Sequence, residues 1–217
     1  VHNYVSSMRR IYMLDYWNFT AKVINDLNRD YSGQKATFLD LGCGPAFFSI
    51  DVKRKGPQCQ VVAVDPSPIM LEIARDEACS KGFDDIIFRE GYDGCIPMED
   101  GVADVVVSLF NLYLWEDIDA GLSEVKRVLK QGGLFIGRDQ DRDNPYWKVV
   151  LFYGMIFMAG GPRLAGSPSR FRDEWYGKWR THDEVADALS RGSFRVETMK
   201  KGKLARGLAY TVIARKD

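Results

Sequence analysis

This 217-residue chain has no excess of either charge: Lys plus Arg is 30 and Asp plus Glu is 30. A general nucleic-acid binder usually carries a basic surplus, so the balance argues against that role. The four cysteines, Cys43, Cys59, Cys79 and Cys95, form no C-x-x-C pair, so metal-ligand spacing is absent and no metal is expected. They read as reduced, mostly buried thiols of a cytoplasmic protein. There are two histidines, and His2 falls in the terminus. No signal peptide is visible, and because the chain starts with Val the native start is expected to be missing. The longest near-continuous apolar run, "VVLFYGMIFMA" from Val149 to Ala159, is too short to span a bilayer, so no membrane role is expected. No repeat or low-complexity segment interrupts the chain. Its length suits one domain, or one domain with a lid.

What is present is an alternation. Residues 8–31 read as a helix, with Ile11, Tyr12, Phe19, Val23 and Leu27 at spacings of mostly three and four. Residues 36–40 read as a buried strand ending at Asp40, and 47–55 as a helix stopped by Gly56-Pro57. "QVVAVD" (60–65) is a second strand. A helix then opens with Ser67 as N-cap and Pro68 in its first turn, and Gly82 closes it. "DIIFRE" (85–90) and "DVVVSLF" (104–110) are the third and fourth strands. Ile118, Leu122, Val125 and Leu129 share a helical face that "KQGG" ends, and "LFIGRD" (134–139) is the fifth strand. Apolar strands alternating with helices predict a parallel sheet covered on both faces. Residues 140–180 break the rhythm with Gly, Arg and aromatics. Thr181-His182-Asp183-Glu184 then matches a capping box, which makes His182 an exposed helix-start residue. "FRVETM" and "GLAYTVIARK" close the fold as a pair of strands. Between them, Lys200, Lys201, Lys203 and Arg206 read as a solvated loop.

The chemistry centres on "ATFLDLGCGPAFFS". Ligands of open parallel sheets sit at the carboxyl ends of the strands. Gly42 and Gly44 lie just past such an end, where glycine lets backbone approach a ligand. Asp65 ends the next strand and suits a pair of ribose hydroxyls. A dinucleotide fingerprint would need Gly or Ala at position 47, and Phe47 is there instead. Asp40 would repel a pyrophosphate and attract an ammonium. The inferred ligand has a ribose, a cationic amino-acid end and no phosphate.

That description fits S-adenosylmethionine, and the chain resembles the class I S-adenosylmethionine-dependent methyltransferases. "LDLGCGPAFFS" is similar to their glycine-rich turn and "VVAVDPSPIML" to the ribose-acid motif. "FREGYDGCIPMEDGVADVVVSL" is similar to the adenine segment with the fourth strand, and "EVKRVLKQGGLFI" to the following helix-turn-strand. The four blocks cover roughly residues 36–139 in the family's order. The resemblance implies an α/β, Rossmann-like, doubly wound, mostly parallel seven-stranded sheet with helices on both faces and an antiparallel last strand. It implies one methyltransferase domain over 1–217, with an N-terminal helical lid at 1–33 and a substrate cap at 140–180.

The resemblance also implies roles. Asp40, Gly42, Cys43 and Gly44 would hold the methionine end, and Asp65 the ribose. Pro66 and Met70 would flank the adenine, with Leu109 at the end of the fourth strand. Relatives often carry an Asp for the adenine amino group where this chain has Tyr92, and neighbouring Asp93 or a backbone group is expected to take over. Where relatives often have paired histidines, this chain reads "NLYLWED", so Tyr113 and Trp115 would face the site. Tyr12, Tyr16 and Trp17 are core or lid residues. Cys43 reads as a small filler rather than a nucleophile.

Methyl transfer needs a base only where the acceptor must lose a proton. No clear base is visible, and the candidates are Tyr113, Asp139, Asp141 and His182. The expected acceptor is a small molecule. "YWKVVLFYGMIFM" supplies residues that line apolar pockets and that equally form the core of a cap helix, so an aromatic or apolar acceptor is one option. The alternatives are a methyltransferase acting on RNA or protein, or a non-catalytic S-adenosylmethionine-binding protein. The N/D-P-P-Y/F tetrapeptide of many amino-methylating enzymes is absent. A monomer or homodimer is expected.

Overall fold

The computed structural model describes residues 19–31, 35–56, 58–158, 172, 175–201 and 208–217. Tyr12, Tyr16 and Trp17, the start of the 8–31 helix and the middle of the 140–180 segment lie outside the described residues. The elements in chain order are α1 (19–31), β1 (Ala36–Leu41), α2 (Phe47–Lys55), β2 (Cys59–Asp65), α3 (Pro68–Cys79), β3 (Ile87–Glu90) and β4 (Ala103–Leu109). They continue with α4 (Ile118–Val128), β5 (Leu129–Gln140), α5 (Tyr146–Met158), α6 (His182–Arg191), β6 (Phe194–Lys201) and β7 (Ala209–Lys216).

The seven strands form one sheet in the order β3-β2-β1-β4-β5-β7-β6. β1 to β5 pair in parallel, and β7 runs antiparallel between β5 and β6. This is the Rossmann-like, mostly parallel sheet anticipated from the sequence. Alternating side chains feed two cores, as the period of two along a strand requires. Phe38, Val61, Ala63, Val105 and Val107 pack with α1, α2 and α3 on one face. Leu39, Leu41, Val62, Val64 and Val106 pack with α4 and α6 on the other. The central strands are buried on both faces, which is why they read as near-continuous apolar runs, with buried polar residues such as Asp40 and Ser108 only towards their carboxyl ends.

The caps follow from local chemistry. The Ser67 hydroxyl accepts the Met70 N–H at 3.3 Å at the start of α3. Thr181 and Glu184 complete a reciprocal capping box on α6, and Gly192 closes that helix. One boundary moves. α4 ends at Val128, not at "KQGG", because Leu129 is already extended and fully buried as the first residue of β5. Ala103 pairs with Leu129 but Val105 pairs with Leu134, so residues 130–133 bulge from the ladder, with Gly132 at φ +74°. Lys200 and Lys201 end strand β6 rather than a loop, and the remainder of that basic run lies outside the described residues. No helix among the described residues is long and apolar enough to cross a membrane.

Candidate functional site

The chain lays β1, β2 and β3 outward in sequence, then returns to place β4 on the other side of β1. That reversal opens a crevice at the carboxyl ends of the strands, the switch point where ligands bind in such sheets. A cleft of about 720 Å³ occupies it. It is lined by Asp40, Gly42, Cys43, Gly44, Asp65, Pro66, Met70, Tyr92, Asp93 and Leu109, so the expected cofactor residues come together at one place. Tyr113 and Trp115 line it as well.

The floor is built from the end of β1. Gly42 and Cys43 donate backbone N–H groups to Val64 O on β2, at 2.8 and 3.0 Å, which turns the chain across the top of the sheet. Gly42 and Gly44 both have positive φ, +74° and +50°. Space for a Cβ is open at Gly44, whereas the Asn111 side chain fills it at Gly42. Thus Gly44 leaves room for a ligand and Gly42 makes room for the protein. Cys43 is buried, and burial pushes its thiol well above the ordinary range, in keeping with a filler.

Two buried acids face the turn. Asp40 is 4% exposed and Asp65 is 8% exposed. The Ser49 hydroxyl of α2 donates to Asp40 Oδ2 at 2.7 Å. Burial pushes the Asp40 carboxyl up to about 6, against the Ser49 hydrogen bond, and the nearby Asp65 charge adds to the rise. Asp65 accepts from Gly44 N at 2.8 Å and Ser67 N at 2.9 Å, one bond per oxygen. Burial raises its carboxyl too, opposed by those two N–H groups. A carboxylate has about four lone-pair sites, so Asp65 keeps capacity for two more donors. Among the described residues neither acid forms an ion pair. The arrangement suits a ligand that brings its own cation.

The opposite wall is the segment after β4. Phe110 sits at φ +58°, a strained region for a bulky residue, and its N–H donates to Arg138 O at 2.7 Å. Asn111 Nδ2 donates to Leu41 O at 2.8 Å, and its Oδ1 accepts from the buried Ser108 hydroxyl. The short helical turn Leu112–Leu114 follows. Tyr113 N donates to Asp139 Oδ2 at 3.0 Å, and Arg180 donates to the carbonyls of Leu112 and Trp115. Tyr113 also stacks on Trp175, with ring centroids 6.0 Å apart. Trp115 is mostly core, 3% exposed, and packs against Phe135 and Gly121. On the rim Tyr92 is exposed, while burial raises the partly buried Asp93 and the Arg180 charge opposes that rise.

The four base candidates separate. Tyr113 lines the cleft. Asp139 is buried behind it, and burial pushes its carboxyl up to about 7 against hydrogen bonds from Gln140 and Tyr113 N–H groups. Asp141 and His182 do not line the cleft but meet each other elsewhere, 3.2 Å apart. His182 is also less exposed than a helix-start residue was expected to be, at 21% for its side chain. The cysteines differ from expectation in the same way: all four are free, but Cys79 and Cys95 are exposed. Ser49, Asn111 and Arg180 were missed. Ser49 and Asn111 carried a signal, being polar residues on a buried helix face and directly at a strand's carboxyl end. Arg180 carried none, because its partners are backbone carbonyls 65 and 68 residues away.

Comparison with known proteins agrees with this geometry. The family model described as a methyltransferase domain matches residues 38–133. The chain is 30% identical to the demethylmenaquinone methyltransferase of Tropheryma whipplei (strain Twist) over 169 residues, covering 75% of this chain and 68% of that one. It is 34% identical to the demethylmenaquinone methyltransferase of Thermus thermophilus over 128 residues, 59% of this chain and 57% of that one. The first relatives are matched over 38% to 57% of their own length, so the chain spans about half of them or less. The fold is that of a crystal structure described as a SAM-dependent methyltransferase from Aquifex aeolicus. Its TM-score is 0.67 at 20% identity, covering 91% of this chain and 89% of that one. With the matched domain spanning the glycine turn, the two acids and the fourth strand, the chain belongs to the class I S-adenosylmethionine-dependent methyltransferase family.

Proposed function

We propose that the cleft binds S-adenosylmethionine and that the chain transfers its methyl group to a small-molecule acceptor. One observation carries this reading: two buried carboxylates without ion-pair partners among the described residues flank a glycine turn at the ends of β1 and β2. A buried charge is costly unless it is paired, so the pair invites a cationic ligand. Asp40, Gly42, Cys43 and Gly44 hold the amino-acid end in this reading. Asp65 holds the ribose hydroxyls, and Pro66, Met70, Tyr92, Asp93 and Leu109 surround the base.

The bound sulfonium supplies a methyl carbon already activated for displacement. The chain's residues then orient and exclude water. Phe110, Tyr113, Leu114 and Trp115 give the acceptor side an apolar wall, and such walls suit an apolar or aromatic partner. The names of the curated relatives, which act on a demethylated menaquinone, favour the same class. In this reading Tyr113, which lines the cleft, holds an acceptor proton, and Asp139 fixes its backbone by accepting its N–H.

The test is a transfer assay with S-adenosylmethionine tritiated in the methyl group. Reduced quinones, simple phenols, bulk RNA and a protein extract serve as acceptors. Label in the organic-extractable small molecules supports the reading. Label in RNA or protein alone would contradict it.

A further inference from the structure

Asp141, just past the end of β5, and His182, the first residue of α6, form a neck where the two ends of the intervening segment meet. At this neck Asp141, Asp143 and His182 each offer one ligand atom, all within 4.8 Å of one another. We propose that these three side chains form a binding site for a divalent first-row cation, such as Mn²⁺ or Zn²⁺, that clips the two ends of the cap segment together.

The orphaned atoms carry the argument. Asp141 has no exposed side-chain surface. Its Oδ1 accepts the Asp143 N–H at 3.1 Å, while its buried Oδ2 has no hydrogen-bond partner among the described residues and only the Lys201 ammonium at ion-pair distance. His182 Nδ1 is likewise buried without one among those residues. These two atoms lie 3.2 Å apart, and Asp143 Oδ2 is also 3.2 Å from Nδ1. Donors held about 2.0–2.2 Å from one cation stand about 3.0–3.5 Å from each other, and the two distances from His182 Nδ1 fall in that range. The other imidazole nitrogen, Nε2, faces Asp183 Oδ1 at 3.3 Å. When a cation takes Nδ1, the ring proton moves to Nε2 and Asp183 can accept it, the usual support for a ligating histidine. Two carboxylates and one imidazole are a mixed oxygen and nitrogen set that suits Mn²⁺ and Zn²⁺.

Lys201 Nζ is the competing cation, 3.4 Å from both Asp141 Oδ2 and Asp143 Oδ2. Its side chain is 48% exposed, so it can swing into water when a metal enters. A divalent ion also balances the two carboxylates more fully than one ammonium does. The clip closes a segment of some forty residues, and closing a long loop removes much chain entropy.

The experiment is a Mn²⁺ titration of the full chain followed by electron paramagnetic resonance, which reads the loss of the free-ion signal. Mn²⁺ prefers oxygen and imidazole, so the free cysteines do not compete. One Mn²⁺ per chain should bind with a Kd of about 100 µM or tighter. Asp143→Asn and His182→Gln, both at partly exposed positions, should each weaken it by roughly tenfold or more with unchanged circular dichroism. Lys201→Gln should tighten it. Three results would overturn the proposal: no binding below about 1 mM, binding that neither Asp143→Asn nor His182→Gln weakens, or weaker binding in Lys201→Gln.

Discussion

The side-chain amide of Asn111 fills the space that a Cβ on Gly42 would need, and it donates a 2.8 Å hydrogen bond to Leu41 O. This contact ties the end of β4 to the end of β1 and fixes the width of the cleft. It divides the two glycines of the turn by role. Gly42→Ala meets Asn111 and a left-handed backbone together, and it should destabilise the chain by roughly 2–5 kcal/mol. Gly44→Ala meets only the backbone penalty, about 1 kcal/mol, because the space around it is open. It should nonetheless weaken S-adenosylhomocysteine binding by placing a methyl in the ligand's path. Urea denaturation and calorimetry on both variants check the division. Equal stability losses would contradict it.

The Asp40 carboxyl, raised to about 6 by burial, must be ionised to hold an ammonium. S-adenosylhomocysteine affinity should therefore be flat above pH 7 and fall by up to about tenfold per unit below pH 6. Ser49→Ala removes a hydrogen bond that favours the charged form, so it should move the midpoint upward. Asp40→Asn should bind weakly at every pH. A titration from pH 5 to pH 8.5 measures all three.

Stability should run the other way. Asp40 and Asp139 have folded values raised to about 6 and about 7. The native chain therefore holds these two protons above the range, near pH 4, where the unfolded chain has released them. Where the native state binds more protons, stability falls as pH rises, so the loss accumulates from about pH 4 to about pH 7. The ligand-free protein should melt several degrees higher at pH 5 than at pH 8, and Asp139→Asn should reduce that difference. Scanning calorimetry at the two pH values decides it.

Arg180 donates to the carbonyls of Leu112 and Trp115 and so braces the acceptor wall without lining the cleft. Arg180→Ala should cost about 1–3 kcal/mol of stability. It should leave S-adenosylhomocysteine affinity within roughly threefold, because the two anchoring acids, Asp40 and Asp65, sit on β1 and β2. It should lower methyl transfer through the acceptor KM. A collapse of cofactor affinity instead would mean that the two halves of the cleft are not separable.

The central sheet was legible because its strands are buried on both faces and are therefore mostly apolar. β1 to β5 are readable as apolar runs, and the helices by caps such as Ser67 on α3 and Thr181 on α6. The cofactor half of the cleft was legible for a related reason: it is local, with Asp40, Gly42 and Gly44 within five residues and Asp65 at the next strand end. The other half is made by distant pairs. Asp139 meets Tyr113, Arg180 meets Leu112, and Asp141 meets His182 only because the sheet brings them together. No periodicity or spacing encodes such contacts. The end of α4 was misjudged because "KQGG" looks like a helix stop and is a bulge in β5, a choice decided by burial of Leu129.

The account stands most directly on Asp65, whose two oxygens accept from Gly44 and Ser67 and retain room for two ribose hydroxyls. Calorimetric titration of S-adenosylhomocysteine into the wild type and Asp65→Ala, with NADH as control, measures it. The account predicts micromolar binding to the wild type, a loss of roughly 100-fold in the variant, and no heat from NADH. A folded wild type that binds no S-adenosylhomocysteine, or a variant that binds it equally well, would contradict the assignment of this cleft.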